Sequence, residues 1–304
     1  MLPAFLATVL FSLSVVFASR TTRMLGGTTA NFYRLCVSTL LLAMWAHLFG
    51  EGISGGAFWL FFLSGCIGFG VGDLALYQTI PRLGPRLTSL VVHCLAAPFA
   101  ALMEWLWMGT HLTQAQIFSG LVILTGVAIA LAPREHWHIP PTVLVRGILL
   151  AILAALGQGL GAVVSRKAYA VVAHAGQNVD GLTAAYQRIL GGLIFSAPPS
   201  LWVLLKNRLK NPGSNSGAAA DPRSRRSVWL WVLLNSLAGP TVGVGCFQWA
   251  LKTAPSGIVL PIVATTPIVV VPFAFLFEGD RPGPRSLLGG VIAVAGAISL
   301  TLAR

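Results

Sequence analysis

Asp73 is the acid placed deepest in an apolar stretch of this chain, at the end of Cys66-Ile-Gly-Phe-Gly-Val-Gly-Asp73. A carboxylate at the centre of a membrane helix costs about 2.5–3.5 kcal/mol on insertion scales, so its presence calls for a polar cavity, a partner or a proton. His93 lies in the next apolar run. Around a turn centred near Gly84, Asp73 is eleven residues back and His93 nine forward. At 1.5 Å per residue these are roughly 16 Å and roughly 13 Å from the turn, hence at similar depth. The spacing predicts a proton-titratable pair inside the membrane. The alternative is a polar residue merely tolerated on the bundle interior.

Gly70-Val-Gly-Asp73 also matches the Gly-x-Gly-Asp of intramembrane aspartyl proteases. That chemistry needs a second intramembrane carboxyl, so that one acts as acid and the other as base. Asp180, Asp221 and Asp280 all fall in loops, so the match carries no catalytic expectation. The chain has no HExxH and no Walker A loop, so metalloprotease and ATP-driven chemistry lack their residues. Cys36, Cys66, Cys94 and Cys246 sit in apolar stretches without CxxC or Cys/His spacing. They read as small packed residues, with neither a metal site nor a cofactor expected.

Further polar groups within apolar runs include Gln78, Gln158, Asn235 and Gln248, with Tyr77 and Trp249 as aromatic walls. They either line a path or bond between helices. Glu104 falls near a span end, where it is expected to snorkel. Arg34 and Arg188 lie near the starts of runs and read as headgroup anchors or as captors of a substrate carboxylate. Pro98, Pro240, Pro261, Pro267 and Pro272 interrupt three runs and favour kinks there.

Elements able to hold these groups must suit a chain of 304 residues that is 56% hydrophobic and 9% charged, with mean hydropathy +0.80. Soluble domains carry about 25% charged residues, so too little polar surface is available for a water-facing globule. The net charge of +12 then reflects loop sidedness rather than nucleic-acid binding. Apolar runs fall at 3–19, 31–49, 57–79, 86–108, 114–132, 143–164, 182–205, 228–250, 256–277 and 285–303. They are near-continuous rather than alternating, which excludes a transmembrane sheet. The first lacks a basic leading region and is read as a retained helix, not a signal peptide. A polar loop at 207–227 separates the seventh and eighth runs.

The sequence repeats itself. Tyr77-Gln78-x-x-x-Arg82-x-x-Pro85 returns as Phe247-Gln248-x-x-x-Lys252-x-x-Pro255, 170 residues on. The same offset pairs Leu90 with Leu260, Gly120 with Gly290 and Gly126 with Gly296. Arg34 pairs with Arg188 at offset 154, and Ser19-Arg20 with Ser165-Arg166 at offset 146. Each unit therefore holds five spans, and an odd number forces the second unit into the membrane upside down. Fourteen of the twenty basic residues fall in loops that follow odd-numbered spans. Positive-inside bias places those loops in the cytoplasm and both termini outside. The opposite side is the even-loop face.

The chain resembles the two-repeat, EamA-type branch of the drug/metabolite transporter superfamily over nearly its whole length. The carrying segments are Ala75-Leu-Tyr-Gln-Thr79, Leu90 to Pro98 running on to Met108-Gly-Thr-His-Leu-Thr113, and Gly120-Leu-Val-Ile-Leu-Thr-Gly126. In the second half they are Phe277-Glu-Gly-Asp-Arg-Pro282 and Gly289-Gly-Val-Ile-Ala-Val-Ala-Gly296; Arg34 also fits. Four positions depart from the family habit: Thr110 replaces a Glu, Asp280 stands at its second-half equivalent, and Phe11-Ser12 replaces Trp-Gly. The resemblance implies cytoplasmic termini, opposite to the charge pattern.

The expectation is an all-α membrane protein of ten transmembrane helices, arranged as two inverted five-helix repeats at 1–135 and 143–304. The function it implies is secondary transport of a small organic metabolite, an amino acid or similar, by alternating access in the inner or plasma membrane, as an exporter. Protons are the expected coupling ion, and the lipid bilayer and a small-molecule substrate the expected partners. The rivals are a nucleotide-sugar or triose-phosphate-like carrier, which needs a central Lys/Arg cluster, and a non-transporting integral membrane protein.

Overall fold

The computed structural model describes residues 1–131, 140–210, 222–266, 268–270, 273 and 284–302. The polar stretch 211–221, the junction 132–139 and the Phe277–Pro282 motif with Asp280 lie outside these residues. All regular structure among the described residues is helical. Helix α1 (Leu2–Leu25) turns into α2 (Gly27–Leu48) at Gly26, whose φ of 77° favours glycine. Helix α3 (Phe58–Gly65) widens into a π-helical segment, Cys66–Gly72, and continues as α4 (Asp73–Met108). Then follow α5 (Gln114–Leu131), α6 (Pro141–His174) and α7 (Gly181–Lys210). Helix α8 (Pro222–Ser236) passes through a second π segment, Leu237–Thr241, into α9 (Val242–Thr253). Helices α10 (Ser256–Val263) and α11 (Pro284–Leu302) complete the order.

Helical hydrogen bonding is continuous through α4, yet the chain reverses within it. Gly72 packs on Gly157, Leu83 on Gly147, and Ala96 on Gly159 of α6. A straight helix would carry residues 72 and 96 about 36 Å apart, whereas their partners on α6 are two residues apart. The segment is therefore a hairpin, as the sequence expects around Gly84.

Six segments are long and apolar enough to cross a membrane: Leu2–Leu25, Phe58–Thr79, Val91–Met108, Pro141–His174, Gly181–Lys206 and Ser227–Thr253. Helices α2, α5, α10 and α11 fall short in length or apolarity over the described residues. The outer surface carries large apolar side chains such as Leu40, Trp59, Phe118, Leu149 and Val291, all exposed. In water such a surface would aggregate; in lipid it is the expected coat. The chain is thus a multi-pass, all-helical membrane protein.

Four packing arrangements frame the site. Ser119 on α5 meets Ser299 on α11 at 2.9 Å, while Gly126 and Ala130 meet Ala293 and Gly289, so the two helices run antiparallel. The end of α2 meets the first turns of α7, with His47 3.3 Å from the Tyr186 hydroxyl and Gln187 donating to the Gly52 carbonyl at 3.0 Å. The helix interrupted at Cys66–Gly72 packs on α6, with Ser64 donating to the Gly161 carbonyl at 2.6 Å. The helix interrupted at Leu237–Thr241 packs on α1, with Ser14 donating to Asn235 at 2.7 Å. The two π segments sit where the 170-residue offset pairs them.

Backbones also approach closely at the α5–α11 seam. A Cβ at Gly289 would stand 2.4 Å from the Ala130 nitrogen and the Gly126 carbonyl oxygen, main-chain atoms that cannot swing away. Gly289→Leu is expected to cost about 1–3 kcal/mol or more by overpacking, read as a lowered thermal midpoint in detergent. An unchanged midpoint would contradict this seam.

Candidate functional site

A polar cluster forms where α2, the first π segment, α6, α7 and α9 converge. Arg34 is two turns into α2, because that helix begins at Gly27, ahead of the apolar run. Its Nη2 donates to Asp73 at 2.5 Å and its Nε to Asn31 at 2.8 Å. The guanidinium stands 5.2 Å from the Tyr77 ring centroid, within cation–π range. Asp73, 8% exposed, opens α4 immediately after the glycine-rich π segment, which lets α6 approach closely.

Arg188, 5% exposed, is likewise two turns into α7. Its Nη1 donates to the Gln248 carbonyl at 3.2 Å, and the guanidinium lies 5.3 Å from the Phe69 ring centroid. Gln248 is fully buried and donates to Ser165 at 3.2 Å; Ser165 and Ser64 share a hydrogen bond of 2.8 Å. Arg188 Nε is buried without a partner. Asp73 lies within electrostatic reach of both arginines.

Several expectations change here. Asp73 takes Arg34, not His93, as its partner: His93 is partly buried on the return limb of α4. Arg34 and Arg188 are interior groups rather than headgroup anchors. Glu104 does not snorkel. It is 1% exposed, accepting from Arg166 Nε at 3.2 Å, from the Ser256 amide at 2.6 Å and from the Ser256 hydroxyl. Arg166 therefore belongs to α6 and to an ion pair with Glu104, not to a loop. Asn235 is buried on Ser14, and no hydrogen bond among the described residues joins its side chain to either arginine. Gln158 is partly buried and Gln78 exposed, and no hydrogen bond among the described residues joins either side chain to the cluster. Trp249 is 49% exposed and lines a surface groove with Asp180, Val242 and Lys252. Asn31, Ser64, Phe69 and Ser165 belong to the cluster; the repeat register marks Ser165, while neither apolarity nor the repeat singles out the other three.

Toward the even-loop face, a cavity of about 300 Å³ is lined by Arg166, Tyr169, Gln177 and Lys252 among others. Tyr169, one turn beyond Ser165 on α6, is in its wall with a buried, unpartnered hydroxyl and within electrostatic reach of Arg188. Together the geometry offers a cationic vestibule above a buried site with two arginines and one acid.

Comparison with known proteins places this architecture. The model of the EamA-like transporter family matches residues 1–132 and again 145–302, so the chain belongs to that family. It is a membrane transporter rather than an enzyme. A probable terminal-alkyne amino-acid exporter of Streptantibioticus cattleyicolor is 23% identical over 235 residues, covering 75% of this chain and 70% of the relative. A protein of known crystal structure, 17% identical, superposes with a TM-score of 0.75 over 99% of this chain and 96% of its own; that likeness concerns the fold alone.

Proposed function

We propose that the chain exports a small organic metabolite, an amino acid or close analogue, across the inner or plasma membrane by alternating access, coupled to protons. The observation that carries this reading is the convergence of Arg34, Asp73, Arg188 and Gln248 in the interior, from α2 and α4 of the first half and α7 and α9 of the second. A shared polar site between two halves is what an alternating-access carrier needs. The proposed frame is ten helices in two inverted five-helix units, 1–135 and 143–304. Its support is the antiparallel α5–α11 pair, the repeat-equivalent positions of Arg34 and Arg188, and the matched π segments, which loosen equivalent helices at equivalent depth. The name of the amino-acid exporter relative favours an amino-acid substrate. A phosphorylated sugar fits less well, since Asp73 already offsets one of the two central arginines.

The reading is tested with purified protein in liposomes loaded with a metabolite panel, with and without an imposed pH gradient. Gradient-stimulated efflux of amino-acid-like solutes is expected. Retention of every solute under both conditions would sink it.

A further inference from the structure

We propose that Arg188 is the anchor for the carboxylate of the transported solute. This rests on the transport reading above and narrows it to substrates that carry a carboxylate.

The argument begins with charge balance. The acids among the described residues are Glu51, Asp73, Glu104 and Asp180. Glu51 is exposed in the α2–α3 loop. Asp180 caps α7, accepting the Leu182 and Thr183 amides at 2.8 and 3.0 Å. Glu104 holds Arg166, and Asp73 holds Arg34. No acid among the described residues pairs with Arg188, yet it is one of the most buried charged residues there. Its contacts are the neutral Gln248 carbonyl and the ring of Phe69. A buried cation without a counter-charge is unfavourable unless something anionic joins it for part of its working cycle. Arg34, Asp73 and Arg188 together leave one positive charge, which one carboxylate neutralises.

The donor geometry agrees. Gln248 takes Nη1 and leaves the Nε–Nη2 edge, whose Nε has no partner. That edge is one of the planar forks with which arginine grips a carboxylate through two parallel N–H bonds. Glycines stand beside it: a Cβ at Gly68 would come 2.9 Å from Nη2, and one at Gly161 would come 3.4 Å. Gln248 is fixed by the Ser165–Ser64 chain, so the guanidinium is held in place before the ligand arrives. The vestibule with Arg166, Tyr169 and Lys252 lies on the even-loop side of this site and favours anions over cations on approach.

The test uses the full chain in liposomes loaded with equal concentrations of L-leucine, L-phenylalanine and L-glutamine, together with the amide and the methyl ester of leucine and of phenylalanine, with efflux read by mass spectrometry. Free acids are expected to leave at least about tenfold faster than their amides and esters, after subtraction of leak through protein-free liposomes. Arg188→Lys is expected to keep the preference with a raised KM, because it keeps the charge and loses the fork. Arg188→Gln is expected to lose carboxylate efflux while remaining monodisperse. As a readout independent of flux, formate should raise the thermal midpoint of the wild type and not that of Arg188→Gln. Amides and esters leaving as fast as the acids overturns the assignment alone, as does an acid preference that survives in Arg188→Gln. Efflux of no solute overturns the amino-acid reading and this assignment with it. Should Arg188→Gln fail to fold, the wild-type comparison of acid with amide decides.

Discussion

Asp73→Asn is expected to abolish any pH-driven component of transport and to destabilise the fold by about 3–5 kcal/mol, the usual consequence of removing one partner from a buried ion pair. Arg34 donates to Asp73 at 2.5 Å, and both side chains are only 12% exposed. With asparagine in place, Arg34 and Arg188 become two cations facing one another's neighbourhood with no acid between them. The double variant Arg34→Gln/Asp73→Asn is expected to recover most of the stability, because the pair is then replaced by two neutral amides. It is not expected to recover coupling, because under the proton-coupled reading Asp73 is the group that carries the proton. Thermal unfolding in detergent measures the first effect and liposome flux with and without a pH gradient the second. Two outcomes would count against the argument: pH-driven flux undiminished in a well-folded Asp73→Asn, or a double variant less stable than the single.

How far the residues revealed this site depends on what each signal encodes. Apolar runs report which segments enter lipid, and those signals placed α1, α6, α7 and the helices around the two π segments correctly. The turn near Gly84 was legible for the same reason, and Leu83 against Gly147 with Ala96 against Gly159 bears out the reversal. Depth along a helix was legible too, and it set Asp73 level with His93. Azimuth was not. Successive residues advance by about 100°, so two groups at one depth can face different neighbours. Asp73 faces α2 and Arg34.

The headgroup reading of Arg34 fails for a different reason. Arg34 lies four residues into its apolar run but eight into its helix, because the polar start Gly27-Thr-Thr-Ala-Asn31 is itself helical. Hydropathy marks where a segment becomes apolar, not where the helix begins. Glu104 was misjudged by the same measure. Nearness to a span end implied exposure, but the end of α4 is covered by Arg166 and by the start of α10. A signal existed in the sequence: Glu104 and Arg166 are opposite charges close to the ends of the fourth and sixth runs, which finish on the same face.

Glu104→Gln is the second change of large expected effect, because this carboxylate ties the two halves of the chain together on the even-loop face. It accepts the Ser256 amide at 2.6 Å, the Ser256 hydroxyl and Arg166 Nε at 3.2 Å, and Arg166 in turn donates to the Leu251 carbonyl at 2.8 Å. One side chain of α4 thus fastens α6, α9 and α10. The acid also sits at the first turn of α10, where a negative charge is favoured by the free amides and the helix dipole. Glutamine keeps the shape and one acceptor but leaves Arg166 without a counter-charge, at a cost of about 3–5 kcal/mol if the closed arrangement persists. Under the alternating-access reading, the chain escapes part of that cost by opening on the even-loop face, where Arg166 meets water. Each ~1.4 kcal/mol so relieved shifts the closed-to-open ratio about tenfold. Ser165→Cys, buried beneath this contact, is therefore expected to react with a membrane-impermeant thiol reagent at least about tenfold faster in Glu104→Gln than in the parent, with Cys36, Cys66, Cys94 and Cys246 replaced by alanine. Equal labelling rates in two stably folded proteins would mean that the Glu104 contact holds the bundle together without gating it.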